Sequence, residues 1–169
     1  MVPVSINSIK AQDIPSVSSR IAEMHREYFC RQLGWHHEFE AEVKKYIEQL
    51  HSTFQPSRET LWVATGKDGS VAGSIAIDGR EKELDSARLR VFIVDHGHQY
   101  QGIGSMLLST AVQHCRNTGY KRIVLWTFDS LTEAIRLYIK YGFRLAEERA
   151  VSYWGRRLTE QRFILEFTH

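Results

Sequence analysis

Apolar residues recur at helical spacing over residues 14–33 and again over residues 38–54, where Phe39, Val43, Tyr46, Ile47 and Leu50 mark one face. Gly34 separates these two predicted helices. The period then shortens to that of strands. Residues 61–65 and 71–77 are β-branched or apolar runs joined by Gly66-Lys67-Asp68-Gly69, which is hairpin composition. After a polar turn over residues 79–85, residues 87–94 predict a third strand of the meander, ending in a near-continuous apolar run expected of a central strand. Ile103, Met106, Leu107, Ala111, Val112 and Cys115 then share one helix face, with Gly119 as the stop. A strand over residues 122–127 follows. Next comes a helix opened by Asp129-Ser130-Leu131-Thr132-Glu133, with Ser130 and Glu133 as a capping box, and a last strand pair closes the chain. No repeat, low-complexity tract or Pro/Gly/Ser linker interrupts this order, so residues 1–169 are expected to form one domain.

Composition narrows the classes of function. Hydrophobic residues at 43% and charged residues at 25% are those of a globular chain. A formal charge of +2 is too near balance for a protein that neutralises a phosphate backbone, so no nucleic-acid partner is expected. The longest clean apolar runs have about four residues, against about 20 for a membrane span, so no membrane partner is expected either. The N-terminus has neither the basic region nor the apolar stretch of a secretory signal, which makes the cytoplasm the expected location. Cys30 and Cys115 stand alone and are expected to be reduced core thiols. His96-x-His98 and His36-His37 lack a carboxylate or cysteine to complete a ligand set, so no metal is expected.

The chemistry is concentrated after the third strand. Asp95-His-Gly-His-Gln-Tyr-Gln-Gly-Ile-Gly104 leads straight into a helix. Glycines at 102 and 104 let the backbone approach a ligand, and the first helical amides lack internal acceptors, so the loop is suited to a pyrophosphate. A Walker loop would need Lys-Ser or Lys-Thr after its last glycine, where Ser105-Met106 stands. A dinucleotide fingerprint would need a third glycine near position 107, which is leucine, and would open a parallel sheet rather than follow a meander.

Gln99-Tyr-Gln-Gly102-Ile-Gly104 matches the Q/R-x-x-G-x-G/A signature, and Ala134-Ile-Arg-Leu-Tyr138-Ile-Lys-Tyr-Gly142-Phe143 matches the A-x-x-L-Y-x-x-x-G-F block. In both motifs, and in element order over essentially the whole chain, the sequence resembles the GNAT superfamily of N-acetyltransferases. A narrower likeness is to the acetyltransferase half of bacterial MarR-type helix-turn-helix fusion proteins. It rests on Gly34-Trp35 with Phe39-Glu40, on Leu125-Trp-Thr127 and on Thr159-Glu-Gln-Arg-Phe163; the helix-turn-helix half itself is absent.

The resemblance implies an α/β fold with a central mixed, largely antiparallel sheet, flanking helices, and a splayed parallel strand pair holding acetyl-CoA. It implies transfer of an acetyl group from that cofactor to a primary amine, on a small molecule or a peptide, and is compatible with a homodimer. By position, backbone groups of Phe92, Ile93 and Val94 would pair with the pantetheine arm. Gln99, Tyr100, Gln101, Gly102, Ile103, Gly104 and Ser105 would hold the pyrophosphate. Tyr138 matches the general acid, because a phenol of pKa near 10 is still protonated at neutral pH and can donate to a departing thiolate. His25, Phe29, Trp35 and Trp126 fall in segments that would line the amine's side, as do Tyr28, Phe128, Tyr153 and Trp154. Glu40, Glu59, Asp95 and Glu160 are candidate bases among which the sequence does not choose. The chain departs from the family at Tyr100, where glycine is frequent, and at Leu131, where many members carry an asparagine that contacts the cofactor. Loss of that asparagine leaves a catalytically inactive acyl-CoA-binding sensor or scaffold as the alternative.

Overall fold

The computed structural model describes residues 3–80, 85–153 and 155–168. A seven-stranded sheet in the order β1-β2-β3-β4-β5-β7-β6 runs through the molecule. Its strands are β1 (Val4–Ser8), β2 (Thr60–Gly66), β3 (Val71–Asp78), β4 (Ser86–Val94), β5 (Arg122–Phe128), β6 (Arg144–Tyr153) and β7 (Arg156–Glu166). Every neighbouring pair is antiparallel except β4 and β5. The helices are α1 (Ile14–His25), α2 (Glu38–Thr53), α3 (Ile103–Asn117) and α4 (Thr132–Lys140). The mixed, largely antiparallel architecture expected from the sequence is therefore the one observed. Strand β1, paired along its length with β2, was not expected: its alternation rests on Val4 and Ile6 alone, too short a run to stand out before β2 is in place.

Each face of the sheet buries its own core. Leu89, Ile123, Leu125, Phe163 and Leu165 face α3 and α4, packing against Ile103, Leu107, Leu108, Ala111, Cys115 and Tyr138. Leu61, Val63, Ala76, Ile93 and Phe128 face α1 and α2, packing against Ile21, Met24, Val43, Tyr46, Ile47 and Leu50. On α3 it is Leu108 that joins the core, while Met106 is 40% exposed. The expected face therefore holds at Ile103, Leu107, Ala111, Val112 and Cys115, with Leu108 in the place given to Met106, an exchange that apolar residues on adjacent positions invite.

The first predicted helix continues to Gln32, but from Arg26 onward it widens into a π-helical stretch. Gly34, at φ +70°, then turns the chain into α2. The capping box does not form. Leu131 occupies the cap of α4, no side chain closes it, and Glu133 instead pairs with Arg136 at 3.2 Å. The cause is a tight turn in which the Leu131 amide donates to the Phe128 carbonyl at 2.9 Å, displacing the helix start past Ser130. Cys115 is buried as expected, whereas Cys30 is only half-buried. Most of the 79–85 turn, and Trp154, lie outside the described residues.

Candidate active site

Strand β4 changes character halfway along. Between its pairings Arg90 with Ala76 and Ile93 with Ser74, it spends one residue more than β3, so the strand bulges. Val91 takes up the extra residue at φ +44°, strained for a β-branched side chain, and Ser74 Oγ donates to its carbonyl at 2.7 Å. The bulge reverses the alternation of faces. Leu89 before it, and Phe92 and Val94 after it, all face α3 and α4, while Arg90, Val91 and Ile93 face α1 and α2.

The parallel pairing with β5 is short. Only Ser86, Ala87 and Arg88 find partners, in Arg122, Ile123 and Val124. Beyond them the strands diverge, β5 keeping β7 and β4 keeping β3. Among the described residues, no strand lies on the β5 side of residues 89–94. The result is a V that opens toward the start of α3 and joins the two faces of the sheet.

The loop at the mouth of the V is anchored on both sides. The Asp95 amide donates to the Ala72 carbonyl at 2.8 Å, and the Asp95 carboxylate accepts from Arg20 of α1 at 2.8 Å and lies 2.9 Å from His98 Nδ1. Burial pushes this carboxyl upward, but His98 and Arg20 outweigh it and hold it below the usual aspartate range. Tyr100 is 90% exposed and sits at φ +62°. A left-handed backbone there is what the family's frequent glycine would favour, so the tyrosine carries strain of about 1–2 kcal/mol at this turn.

Gly102 also has a positive φ, +81°, and a Cβ placed on it would meet nothing within 4 Å. A Cβ on Gly104 would instead project among Phe92, Val94 and Leu137, at 3.5–3.6 Å, inside the V. Helix α3 has no side-chain cap, so the amides of its first turn have no acceptor within the helix. The Ser105 hydroxyl is already engaged: it lies 2.7 Å from the Tyr141 hydroxyl.

Tyr138 reaches the V from α4. Its ring is buried among Phe92, Phe143 and Phe163, at centroid distances of 6.0, 5.7 and 6.4 Å. Among the described residues its hydroxyl has no hydrogen-bond partner, and burial raises its pKa above that of an ordinary phenol. It is a neutral O–H donor with nothing yet to donate to. Leu131 is packed into the core on the other face, so no side-chain amide stands at the start of α4.

The aromatic residues expected on the opposite side do not form one wall. His25 is 4% exposed, its Nδ1 lies 2.7 Å from the Ile21 carbonyl, and burial lowers its pKa to about 4. Phe29 contacts Trp35 at 4.7 Å and Phe39 at 4.4 Å, and Trp35 meets Phe128 edge-on at 5.0 Å. His25 and Phe29 therefore stand inside the core rather than on its surface. Trp35 is at the border, since it and Leu33 line a 380 Å³ cleft shared with Asp129, Ser130 and residues 156–159. Trp126 is only half-buried and lies beneath the Arg149 guanidinium, 4.4 Å from its ring centre. Tyr28 meets Phe29 edge-on at 4.9 Å.

Of the candidate bases, Glu40 is shared between Arg26 and Lys44, and Glu59 is buried beside Arg80 at the far end of the sheet. Glu160 stands on the same face as Trp126 and is held 2.7 Å from Arg149 Nε. The histidine pairs are occupied otherwise: the His36 and His37 rings lie 4.2 Å apart and tilted to each other, and His98 faces Asp95. Among the described residues no three potential metal ligands gather, and no helix is long and apolar enough to cross a membrane.

Comparison with known proteins places this geometry in context. The model of the acetyltransferase (GNAT) family matches residues 20–143. Human N-acetyltransferase 8B is 30% identical over 116 residues, which are 68% of this chain and 48% of that protein. The chain thus spans about half the length of the first curated relatives it matches. Among solved structures, yncA from Salmonella typhimurium, assigned as an acetyltransferase and solved with its cofactor acetyl-CoA, superposes with a TM-score of 0.76. That match covers 99% of this chain and 95% of the other, at 17% identity. A chimeric spermidine N-acetyltransferase built on SpeG of Vibrio cholerae superposes at 0.73 over 96% of this chain and 95% of its own, with 16% identity.

Proposed function

The chain belongs to the acetyltransferase (GNAT) family, and from that premise we propose that it moves the acetyl group of acetyl-CoA to a primary amine. One observation carries the reading: β4 and β5 part beyond Arg88 and Val124 at the end where the uncapped glycine start of α3 stands. Acetyl-CoA supplies an activated thioester and, at its other end, a pyrophosphate. Backbone groups of Phe92, Ile93 and Val94 face the open side of β4 and take the pantetheine arm as an added strand. The loop from Gln99 through Tyr100 and Gln101 to Gly102, with the amides of Ile103, Gly104 and Ser105, holds the pyrophosphate. Ser105 contributes its amide rather than its hydroxyl, because Tyr141 already takes the latter. Gly104 fits this role since any larger residue would fill the space between Phe92, Val94 and Leu137.

In the transfer, the nitrogen of the neutral amine bonds to the thioester carbon, and the carbon–sulfur bond breaks as the sulfur takes the Tyr138 proton. The proton lost from the nitrogen passes through solvent, which returns one to the Tyr138 oxygen. A phenol kept neutral by its surroundings is suited to that donation. The amine approaches from the α1/α2 face through the V, past Trp126. Trp35 flanks that approach, while His25 and Phe29 support it from within.

We take residues 1–169 as one catalytic domain because the loop follows β4 and Tyr138, on α4, packs against the same sheet. The two free cysteines support a reducing, cytoplasmic setting. The narrower kinship with acetyltransferase halves of MarR-type fusions rests on the residues named for it, of which Trp35 and Trp126 flank the acceptor side. Release of free thiol from acetyl-CoA in the presence of a panel of amines tests the function. No release with any amine, together with retained acetyl-CoA binding by calorimetry, would replace the enzyme by the acyl-CoA-binding sensor that Leu131 suggests.

A further inference from the structure

The α1/α2 face of the sheet is unevenly covered. Helices α1 and α2 pack over β2, β3 and β4, where the second core lies, but β6 is exposed along nearly its whole length. On this partly open floor stand Arg90 of β4, just beyond the last β4–β5 pairing at Arg88, and, across the opening of the V, Trp126 of β5 with its register partner Arg162 of β7. Arg90 precedes the bulge and faces α2, where its guanidinium lies 4.0 Å from the centre of the Tyr46 ring. Arg162 shares a face with Glu160 and with Ile164, two residues away on either side.

Both arginines are half-buried, and among the described residues neither makes a hydrogen bond or an ion pair. Arg149 has Glu160, Arg20 has Asp95 and Glu23, and Arg80 has Asp78 and Glu59; half-buried Arg58, whose Nη2 also has no partner, stands beside Glu59 at the far end of the sheet. The carboxylate nearest in influence to Arg90 is Asp78, which Arg80 already holds at 2.7 Å. Burial and neighbouring Arg88 weaken the hold of Arg90 on its proton. Beside it, the Tyr46 hydroxyl is buried with no partner. A half-buried cation without a counter-charge costs folding energy unless something anionic is to be met there.

Resting on the acetyl-transfer reading, we propose that the amine acceptor carries a carboxylate, and that Arg90 and Arg162 receive it. The acceptor class is then the amino acids and related aminocarboxylates rather than polyamines. Guanidinium forks suit a carboxylate because two parallel N–H donors meet its two oxygens. Half-buried Trp126, with the Arg149 guanidinium 4.4 Å from its ring centre, supplies apolar surface for the substrate's carbon chain.

The test pairs amino acids with their own α-carboxamides, such as methionine with methioninamide and phenylalanine with phenylalaninamide, and adds spermidine. Thiol release from acetyl-CoA is followed for the parent, Arg90→Met and Arg162→Gln. The parent should favour acids over amides by roughly 10- to 100-fold in kcat/KM, the worth of one or two charge-assisted bonds. Each substitution should remove most of that preference, raising KM far more for the acids than for the amides so that their ratio falls toward one. Arg90→Lys and Arg162→Lys, which keep the charge and lose the fork, should retain part of it, and they serve if a neutral variant melts early. Equal use of acids and amides by the parent overturns the proposal, as does transfer confined to spermidine or a preference untouched by both substitutions; in these cases acetyl transfer itself stands. Failure of every amine to release thiol overturns the transfer reading, and this proposal with it.

Discussion

The two faces of one sheet do different work with different materials. On the α3/α4 face the V is lined by backbone and by an unpaired phenol, and the positions that matter are glycines and main-chain amides. On the α1/α2 face the lining is side chains: aromatic rings, arginines and Glu160. On the proposed reading the first face holds the acetyl donor, whose geometry is common to such donors, and it is written in compact motifs. The second face would fit one acceptor, and its residues come from α1, α2, β4, β5, β6 and β7 without a shared local pattern. The bulge at Val91 links the two, because it turns Phe92 and Val94 to the first face and leaves Arg90 on the second.

The largest effect expected from disturbing either face comes from Tyr138→Phe. It removes a hydroxyl that makes no internal hydrogen bond, so the melting temperature and acetyl-CoA affinity should hold. Turnover should fall by roughly 10² to 10⁴, the usual contribution of a positioned acid. Because burial raises this phenol's pKa, any alkaline decline of the parent should begin above the ordinary tyrosine range. Full turnover in the variant would remove the acid from the first face.

Two tryptophans divide the second face into core and floor. Trp35 is 5% exposed amid Phe29, Phe39 and Phe128, and Trp35→Ala should cost about 3–5 kcal/mol in denaturant unfolding. Half-buried Trp126 should behave oppositely: Trp126→Ala should raise the KM for the amine several-fold, with acetyl-CoA affinity unchanged. If both variants lose stability alike and keep their KM, both rings are merely packing.

His25 gives the acceptor side a pH signature. Its folded pKa, about 4, lies below the unfolded value of 6.5, so between those limits the unfolded chain takes up a proton that the folded chain refuses. Stability contributed by neutral His25 is complete above pH 6.5 and is lost as pH falls toward 4, by about 3 kcal/mol in all. Melting curves from pH 7 to 4 should show this slope in the parent and a shallower one in His25→Phe.

The smallest effects separate the two loop glycines. Gly104→Val should fill the space between Phe92, Val94 and Leu137, weakening acetyl-CoA binding about tenfold or more at little cost to folding. Gly102→Val meets open space but must adopt φ +81°, so it should lose about 1–2 kcal/mol of stability first. Calorimetry on both variants, with melting temperatures alongside, reads the difference.

The sequence alone determined what depends on local spacing. The strand–glycine–helix order at residues 94–104, the Tyr138 block, the hairpin at 66–69 and the helical and strand periods all express neighbours in the chain, and these elements follow their patterns, save that the first helix widens from Arg26 onward. Local spacing could not reveal β1, whose weak pattern becomes a strand only through pairing with β2. Nor could it show that Leu131, rather than Ser130, begins α4, because a turn bond to Phe128 decides that. Only the tertiary structure separated buried His25 and Phe29 from half-open Trp126, since burial depends on what other elements bring over a side chain. The placing of Arg90, Trp126 and Arg162 on one face belongs wholly to that second category: they stand on three strands, brought together by pairings that no short stretch of sequence contains.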